Sequence, residues 1–184
     1  KGITLGDTQY PRAIYTLWSE AERNAIGIYE IVYDNTNKKD ERWFTNTNQS
    51  YAFANSQVTA TYGTATAKAH ADTNFTEEDE DNGLGTEGEV RTRGLKYNLI
   101  QTVKAQAAGE LAKTDWYITR NAEKSTAIPS AITTHRDLIR SRQAAMETSI
   151  TNASNTPALE TLYTYTKDSD GVVSRPLALI PTLD

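Results

Sequence analysis

The sequence contains no cysteine, and this absence excludes several classes of site at once. Without thiols there is no disulfide framework, no thiolate zinc site and no cysteine nucleophile. The only histidines, His70 and His135, stand far apart and neither belongs to an HExxH pattern. The sequence also has no GxSxG elbow and no glycine-rich phosphate loop ending in Gly-Lys-Ser/Thr. We therefore predict no enzymatic activity, no catalytic or metal-binding residue and no cofactor.

Basic charge and long apolar runs are also lacking. The net charge is −5 and the pI is about 5.1, and no basic stripe is available to displace counterions from nucleic acid. No run approaches the roughly 18 apolar residues of a membrane span. We predict neither a nucleic-acid nor a membrane partner. The chain opens with Lys1 instead of a methionine, so we expect that a short N-terminal piece was removed or is missing. The opening is not a signal peptide, because no apolar segment follows.

Apolar residues are scarce, at 38% of the chain, which is below the usual share of a globular domain. The sequence therefore predicts a thin core. An elongated shape, a face that a partner covers and long polar loops each explain the deficit, and the sequence leaves all three open.

The first part of the chain has a mixed pattern. Ser19 and Glu22 form a capping-box pattern, which predicts a short helix at about residues 20–26. Residues 28–33 alternate as a strand, and apolar groups on both faces favour a central position in a sheet. A polar turn then separates this strand from residues 42–45, which are predicted to return as its hairpin partner.

Two polar segments follow. Residues 46–74 are rich in Thr, Asn and Ala, and we expect an arm that becomes ordered against a neighbour. The acidic run at 77–81 favours a flexible loop over residues 76–89, because a block of like charges repels. A calcium loop is the alternative, but the acids are contiguous rather than alternating as in an EF-hand.

The second half of the chain has helical periodicity. Residues 90–123 and 131–152 are predicted to form an antiparallel helical hairpin joined by a loop at Pro129. A third helix is predicted to start with Thr156 as its cap and to end near Tyr163. The predicted buried stripe of the second long helix consists of Ile132, His135, Ile139, Met146 and Ile150.

These patterns predict an α+β fold. It has a small N-terminal antiparallel sheet with a short helix, then an antiparallel helical hairpin, a short third helix and an extended C-terminal tail. The predicted boundaries are 1–75 for the β-rich region, 76–89 for the acidic loop and 90–184 for the helical-hairpin domain. The tail is expected to dock in a groove on its own chain or on a partner.

A small set of residues is predicted to bind partners. Trp116 is either a core anchor after a helix cap or an interface hot spot, since Trp is enriched at hot spots. The arginines of the last long helix either brace the hairpin through ion pairs or contact a partner. The predicted partner-binding residues are Trp116, Tyr117, Arg136, Arg140, Leu177, Leu179 and Ile180.

The order of motifs in the hairpin resembles a known group of proteins. Thr114-Asp115-Trp116-Tyr117, then Ile128-Pro129, then His135-Arg136 and a later Arg resemble largely uncharacterised proteins of tailed bacteriophages, especially marine ones. Gln9-Tyr10-Pro11 and the segment 18–22 also look like that group. More distantly, the hairpin is similar to the C-terminal region of phage tail-fibre assembly proteins. The resemblance spans about a third of the chain and leaves out residues 46–74.

This resemblance implies a structural component of a bacteriophage particle, in the tail, a fibre or another attached appendage. Such a component is made in the bacterial cytoplasm and resides in the virion. Its implied partners are other phage structural proteins and further copies of itself, because particle parts follow closed symmetry. One alternative is a tail-fibre assembly chaperone that leaves the finished particle. Another is a carbohydrate-binding module that uses rings such as Trp18 and Trp43.

Overall fold

The computed structural model describes residues 1–183 and has the predicted mixed α+β architecture. It divides into two compact units, one of residues 1–66 and one that begins at Ala67. The first unit holds β1 (Ile3–Leu5), β2 (Thr8–Tyr10), α1 (Ile14–Leu17), α2 (Glu20–Ala25), β3 (Ile31–Asp34), β4 (Phe44–Thr45), β5 (Gln49–Ala54) and β6 (Gln57–Tyr62). Strand β7 (Thr66–Ala67) lies at the boundary.

The second unit contains the helical region and four short strands after β7, two before the long helices and two after them. Its elements are β8 (Thr73–Asn74), α3 (Glu77–Asp81), β9 (Val90–Thr92), α4 (Leu95–Ala112), α5 (Asp115–Lys124), α6 (Ser130–Asn152), α7 (Thr156–Tyr163), β10 (Thr166–Lys167) and β11 (Val173–Ser174). Strand β8 pairs with β9 and β10 pairs with β11, both antiparallel.

The short helix α2 confirms the capping-box prediction. The Ser19 side chain accepts a hydrogen bond from the Glu22 backbone N–H, and the Glu22 carboxylate accepts one from the Ser19 N–H. These reciprocal bonds satisfy two donors that a helix N-terminus otherwise leaves open. The helix ends at Ala25, and Gly27 follows with a φ of +81°.

The three-stranded sheet of the first unit differs from the predicted hairpin. Its order is β3-β6-β5, with β3 parallel to β6 and β5 antiparallel to β6. Residues 42–45 are therefore not the partner of β3, and β3 lies at an edge rather than centrally. Asn55 and Ser56 have φ values of +51° and +60°, which make the two-residue turn that joins β5 to β6. This local hairpin forms within the predicted arm, and β6 then takes β3 as its second neighbour.

The acidic segment is helical rather than an open loop. Thr76 and Asp79 form a second capping box at the start of α3, and the acids of the first turn lie at the positive end of the helix dipole. Arg91 on β9 pairs with Asp79 at 3.0 Å. Residues 90–92, predicted as the start of the long helix, are strand β9, and the helix begins at Leu95.

Helices α4 and α6 pack against each other as the predicted hairpin. The buried stripe of α6 contains Arg136 in place of the predicted His135, which is only partly buried. The apolar core of the second unit consists of Val103, Ala107, Ile132, Ile139, Met146, Ile150, Ala153, Leu159 and Leu177.

The start of α7 shows how residues 67–75 belong to the second unit. Asn155, not Thr156, is the cap, because its side chain accepts from the Ala158 N–H at 2.9 Å. Thr156 is instead buried and donates to the Lys68 carbonyl at 2.6 Å. Asp72 accepts from the Gly94 N–H at 2.8 Å. These bonds attach Lys68 and Asp72 to the second unit. The unit therefore begins at Ala67, earlier than the predicted boundary after residue 75.

Candidate interaction surfaces

Arg136 braces the helical hairpin from inside. Only 8% of the residue is exposed, and its Nη1 donates to the Leu111 carbonyl at 2.8 Å and to the Thr114 hydroxyl at 2.7 Å. The same nitrogen lies 2.9 Å from the Asp115 carboxylate. The Leu111 carbonyl belongs to the last turn of α4, where carbonyls have no partner in the helix. Of the two roles open for Arg136, the structure supports the brace and removes the residue from the accessible surface.

Arg140 has a different environment one turn further along α6. Its side chain is 53% exposed and pairs with Asp137 at 3.0 Å, within the same helix. Exposed pairs of this kind stabilise a helix by no more than about 1 kcal/mol. Arg140 therefore remains available to a partner.

The aromatic pair at the start of α5 is open to solvent on one side. Trp116 is 51% exposed, so it is not the core anchor that the helix-cap interpretation requires. Its ring centre lies 3.7 Å from that of Tyr117. The Arg120 guanidinium lies over both rings, at 4.8 Å from Trp116 and 5.2 Å from Tyr117. This stack holds the indole in place, and a fixed aromatic ring loses little entropy when a partner covers it.

The C-terminal tail is anchored on its own chain at Leu177. Leu177 is buried, and its N–H donates to the Leu162 carbonyl at 2.9 Å. Leu179 remains exposed and Ile180 is partly exposed. Both line an open groove of about 310 Å³ together with Gln106, Glu110 and Arg175. The three predicted tail residues thus have two roles, since Leu177 is an anchor and the other two border a groove.

The three-stranded sheet of the first unit carries exposed apolar side chains on one face. The register aligns Ile31, Val58 and Phe53 in one row and Tyr33, Ala60 and Tyr51 in the next. Rows two residues apart lie on the same face of a sheet. We call these six residues the aromatic face. Tyr33, Tyr51 and Phe53 are 59%, 61% and 58% exposed, although their neighbour Ala60 between the two tyrosines is fully covered.

The opposite face of the sheet is mainly polar. Its rows contain Val32, Thr59 and Ala52, and then Asp34, Thr61 and Ser50. The two faces therefore differ in character, as in a sheet that covers its apolar side with another layer. Sequence reasoning missed this surface because its two halves come from segments that pair only through β6. The available signals were the alternation of Tyr51 with Phe53 and that of Ile31 with Tyr33.

Hydrogen bonds lower the pKa of two acids in the second unit. The Gly94 N–H, followed by the Arg93 side chain, lowers the pKa of Asp72 below its usual value. The Thr76 backbone N–H is the largest cause of the lowered pKa of Asp79. Both carboxylates thus hold loop segments in place through their charged forms.

Among residues 1–183, no cluster of three or more His, Cys, Asp or Glu side chains is arranged to hold a metal ion. Of the two rings considered for sugar stacking, Trp43 is buried and Trp18 is partly buried edge-on to Tyr10. None of the helices in the described part of the chain combines the length and the apolar character needed to cross a membrane.

Comparison with known proteins returned no match for this chain among protein-family models, curated proteins or solved structures.

Proposed function

We propose that this protein is a structural component of a bacteriophage particle that acts through protein–protein contacts. The aromatic face carries the interaction part of this proposal. A small monomeric protein rarely leaves contiguous apolar area uncovered unless a partner takes it. The phage assignment is supported by the motif order from Thr114 to Arg140.

The composition of the aromatic face fits a protein partner. Tyr and Phe are enriched in the buried centres of interfaces, where charged residues are depleted. Residues 43–67, which include β5 and β6, contain no charged side chain. A partner therefore meets apolar rings and amide or hydroxyl groups there, with no unpaired charge to desolvate.

The second unit offers a smaller surface at α5. Trp116 stacked under Arg120 combines two residue types that dominate interface hot spots. We include Trp116, Tyr117 and Arg140 in the proposed contact set, together with Leu179 and Ile180 at the tail groove. Arg136 and Leu177 support these surfaces from within the unit.

Mass spectrometry of purified particles of the phage that encodes the chain tests this proposal. We expect the protein at a fixed stoichiometry to a known particle protein. Its absence, or only trace amounts, would overturn the structural role and favour a tail-fibre assembly chaperone that leaves the particle.

A variant series links incorporation to the aromatic face. We expect a Tyr51→Ser/Phe53→Ser chain to be missing from particles when it complements a deletion phage. Tyr15→Ser is the matched control, because Tyr15 is an exposed aromatic residue of the same unit outside the sheet. Equal incorporation of both variants would show that the aromatic face is not the contact surface.

A further inference from the structure

The free edge of β5 has the features of a strand that pairs with another strand. In the order β3-β6-β5, β5 has a neighbour on one side only, and no backbone hydrogen bond of the described residues joins its other side. Monomeric proteins protect such edges with charged residues, proline, bulges or very short strands. The six residues of β5, Gln49 to Ala54, contain no charge and no proline and pair with β6 in unbroken register.

The other edge of the same sheet is protected. Strand β3 has four residues, ends in the charged Asp34 and directly follows Glu30. Two copies that met through β3 would bring these carboxylates together. The chain as a whole carries a net charge of −5, so two copies repel each other except where the surface is uncharged. The β5 edge lies within the uncharged segment 43–67.

The turn between β5 and β6 determines which backbone groups point outward. Ala54 and Gln57 flank the two-residue turn and form a hydrogen-bonded pair, and such pairs alternate along an antiparallel ladder. The backbone groups of Ala52 and Ala54 therefore point toward β6. The backbone N–H and C=O groups of Gln49, Tyr51 and Phe53 point toward the open edge, where a further strand can bond to them.

We propose that β5 pairs antiparallel with β5 of a second copy and extends the sheet to six strands. A two-fold axis through Ala52 places Tyr51 of each copy opposite Phe53 of the other, as hydrogen-bonded pairs. Aromatic cross-strand pairs of this kind are favourable. Ala52 then lies opposite its own counterpart, and the aromatic faces of both copies join into one continuous surface.

This inference rests on the proposed function only in treating the sheet as an assembly surface. One strand pair and two rings per copy bury less than the roughly 1,600 Å² of a standard interface. The dimer is therefore expected to form with rising protein concentration rather than to be permanent. The continuous aromatic surface would remain open to the rest of the particle.

Sedimentation of the full chain over a range of concentrations is the first arm of the test. We expect a monomer that converts to a dimer as concentration rises. Ala52→Lys should raise the dissociation constant about tenfold or more, because two lysines would face each other across the pair. Val32→Lys is the matched control, because Val32 flanks Thr59 in the same row on the other edge. A wild-type chain that stays monomeric, or equal effects of both variants, would overturn the pairing.

Single-cysteine variants are the second arm of the test. Their result does not depend on whether the lysine variants lose stability. The chain has no cysteine of its own, so any cross-link reports the introduced thiol. Directly opposed residues have Cβ atoms about 4.5–5.5 Å apart, near the range that a disulfide spans. We expect Ala52→Cys to form a covalent dimer under mild oxidation and Val32→Cys to remain monomeric. No cross-link, or equal cross-linking of both, would overturn the pairing.

The two proposals fail in different ways. A chain that dimerises through β5 but is absent from particles keeps the pairing and overturns the structural role. A chain that is present in particles while Ala52→Cys stays uncross-linked there and in solution overturns the pairing alone. In that case we expect the β5 edge to pair with a strand of a different protein.

Discussion

The two units bury very different amounts of their own apolar surface. The second unit packs α4, α6 and α7 around a continuous set of buried side chains such as Val103, Ile139 and Leu159. The first unit fully buries only Ile14, Trp43 and Ala60 among its apolar residues, and leaves the rings of its sheet exposed. A unit with a complete core needs no partner to fold, whereas a sheet with one apolar face is completed by a second layer.

The contrast explains the scarcity of apolar residues in the sequence. The sequence alone left three explanations of this scarcity open: an elongated shape, a face that a partner covers, and long polar loops. The exposed aromatic face favours the second, because the missing core of the first unit lies where a partner would supply it. The pattern of burial therefore supports the proposed interface more directly than any motif does.

Truncation of one side chain in each unit should give the largest difference in the free energy of unfolding. Ile139→Ala in the second unit is expected to lower the free energy of unfolding by about 2–5 kcal/mol, because a fully buried side chain leaves a cavity. Phe53→Ala in the first unit should lower it by only about 0.5–1.5 kcal/mol in dilute solution, since the residue is 58% exposed and its ring packs only on Tyr29, at 4.5 Å between ring centres. Urea denaturation measures both, and equal losses would contradict the contrast.

The two arginines of α6 provide a second comparison within one helix. Arg136→Ala should cost about 1–3 kcal/mol, because it removes the charged donor of the buried Thr114 hydroxyl and of the Leu111 carbonyl. Arg140→Ala should stay within about 0.5 kcal/mol, as expected for an exposed pair. Thermal unfolding of both variants is the measurement. A larger loss of stability for Arg140→Ala than for Arg136→Ala would show that Arg136 does not brace the hairpin.

Two glycines of α4, one at its start and one inside it, give predictions of opposite sign. A Cβ at Gly94 would collide with the Ala71 carbonyl oxygen, so Gly94→Ala must displace backbone and should destabilise the chain by about 1–3 kcal/mol. Gly109 lies inside α4 with no atom within 4 Å of such a Cβ. Gly109→Ala should therefore stabilise it by about 0.4–1 kcal/mol. Opposite signs in chemical denaturation are the expected result, and a shared sign would refute it.

The smallest expected effect concerns pH. The pKa of folded Asp72 is lowered chiefly by the Gly94 N–H. Its stabilising contribution is therefore present above the pKa of the unfolded chain and is lost as pH falls through the folded pKa. Asp72→Asn should remove this part of the acid sensitivity, so that its stability curve and that of the wild type approach each other as pH decreases. Parallel curves across the whole acid range would contradict the assignment.

Local signals in the sequence predicted local structure well. Ser19 and Glu22 identified the start of α2, and the helical periodicity identified the hairpin of α4 and α6. Errors arose where a residue's partner is distant in the chain. Thr156 bonds to Lys68, so it is not the cap of α7, and β3 pairs with β6 across an intervening segment. No local pattern encodes such pairings.

The candidate surfaces show the same limit. The exposure of Trp116, Arg140 and Leu179 agrees with their predicted availability to a partner. Arg136 is instead buried, because the end of α4 supplies acceptors that helical periodicity alone does not reveal. The aromatic face escaped prediction because Tyr33 and Tyr51 become neighbours only through Ala60 of β6.

Hydrogen exchange read segment by segment tests the central claim most directly, namely that the first unit buries its sheet only on assembly. The comparison is between the chain in dilute solution and the chain in its assembled state. We predict that exchange slows strongly across β3, β5 and β6 on assembly, while the core amides of α4 and α6 keep their rates. Unchanged exchange across β5 in the assembled state would contradict the account.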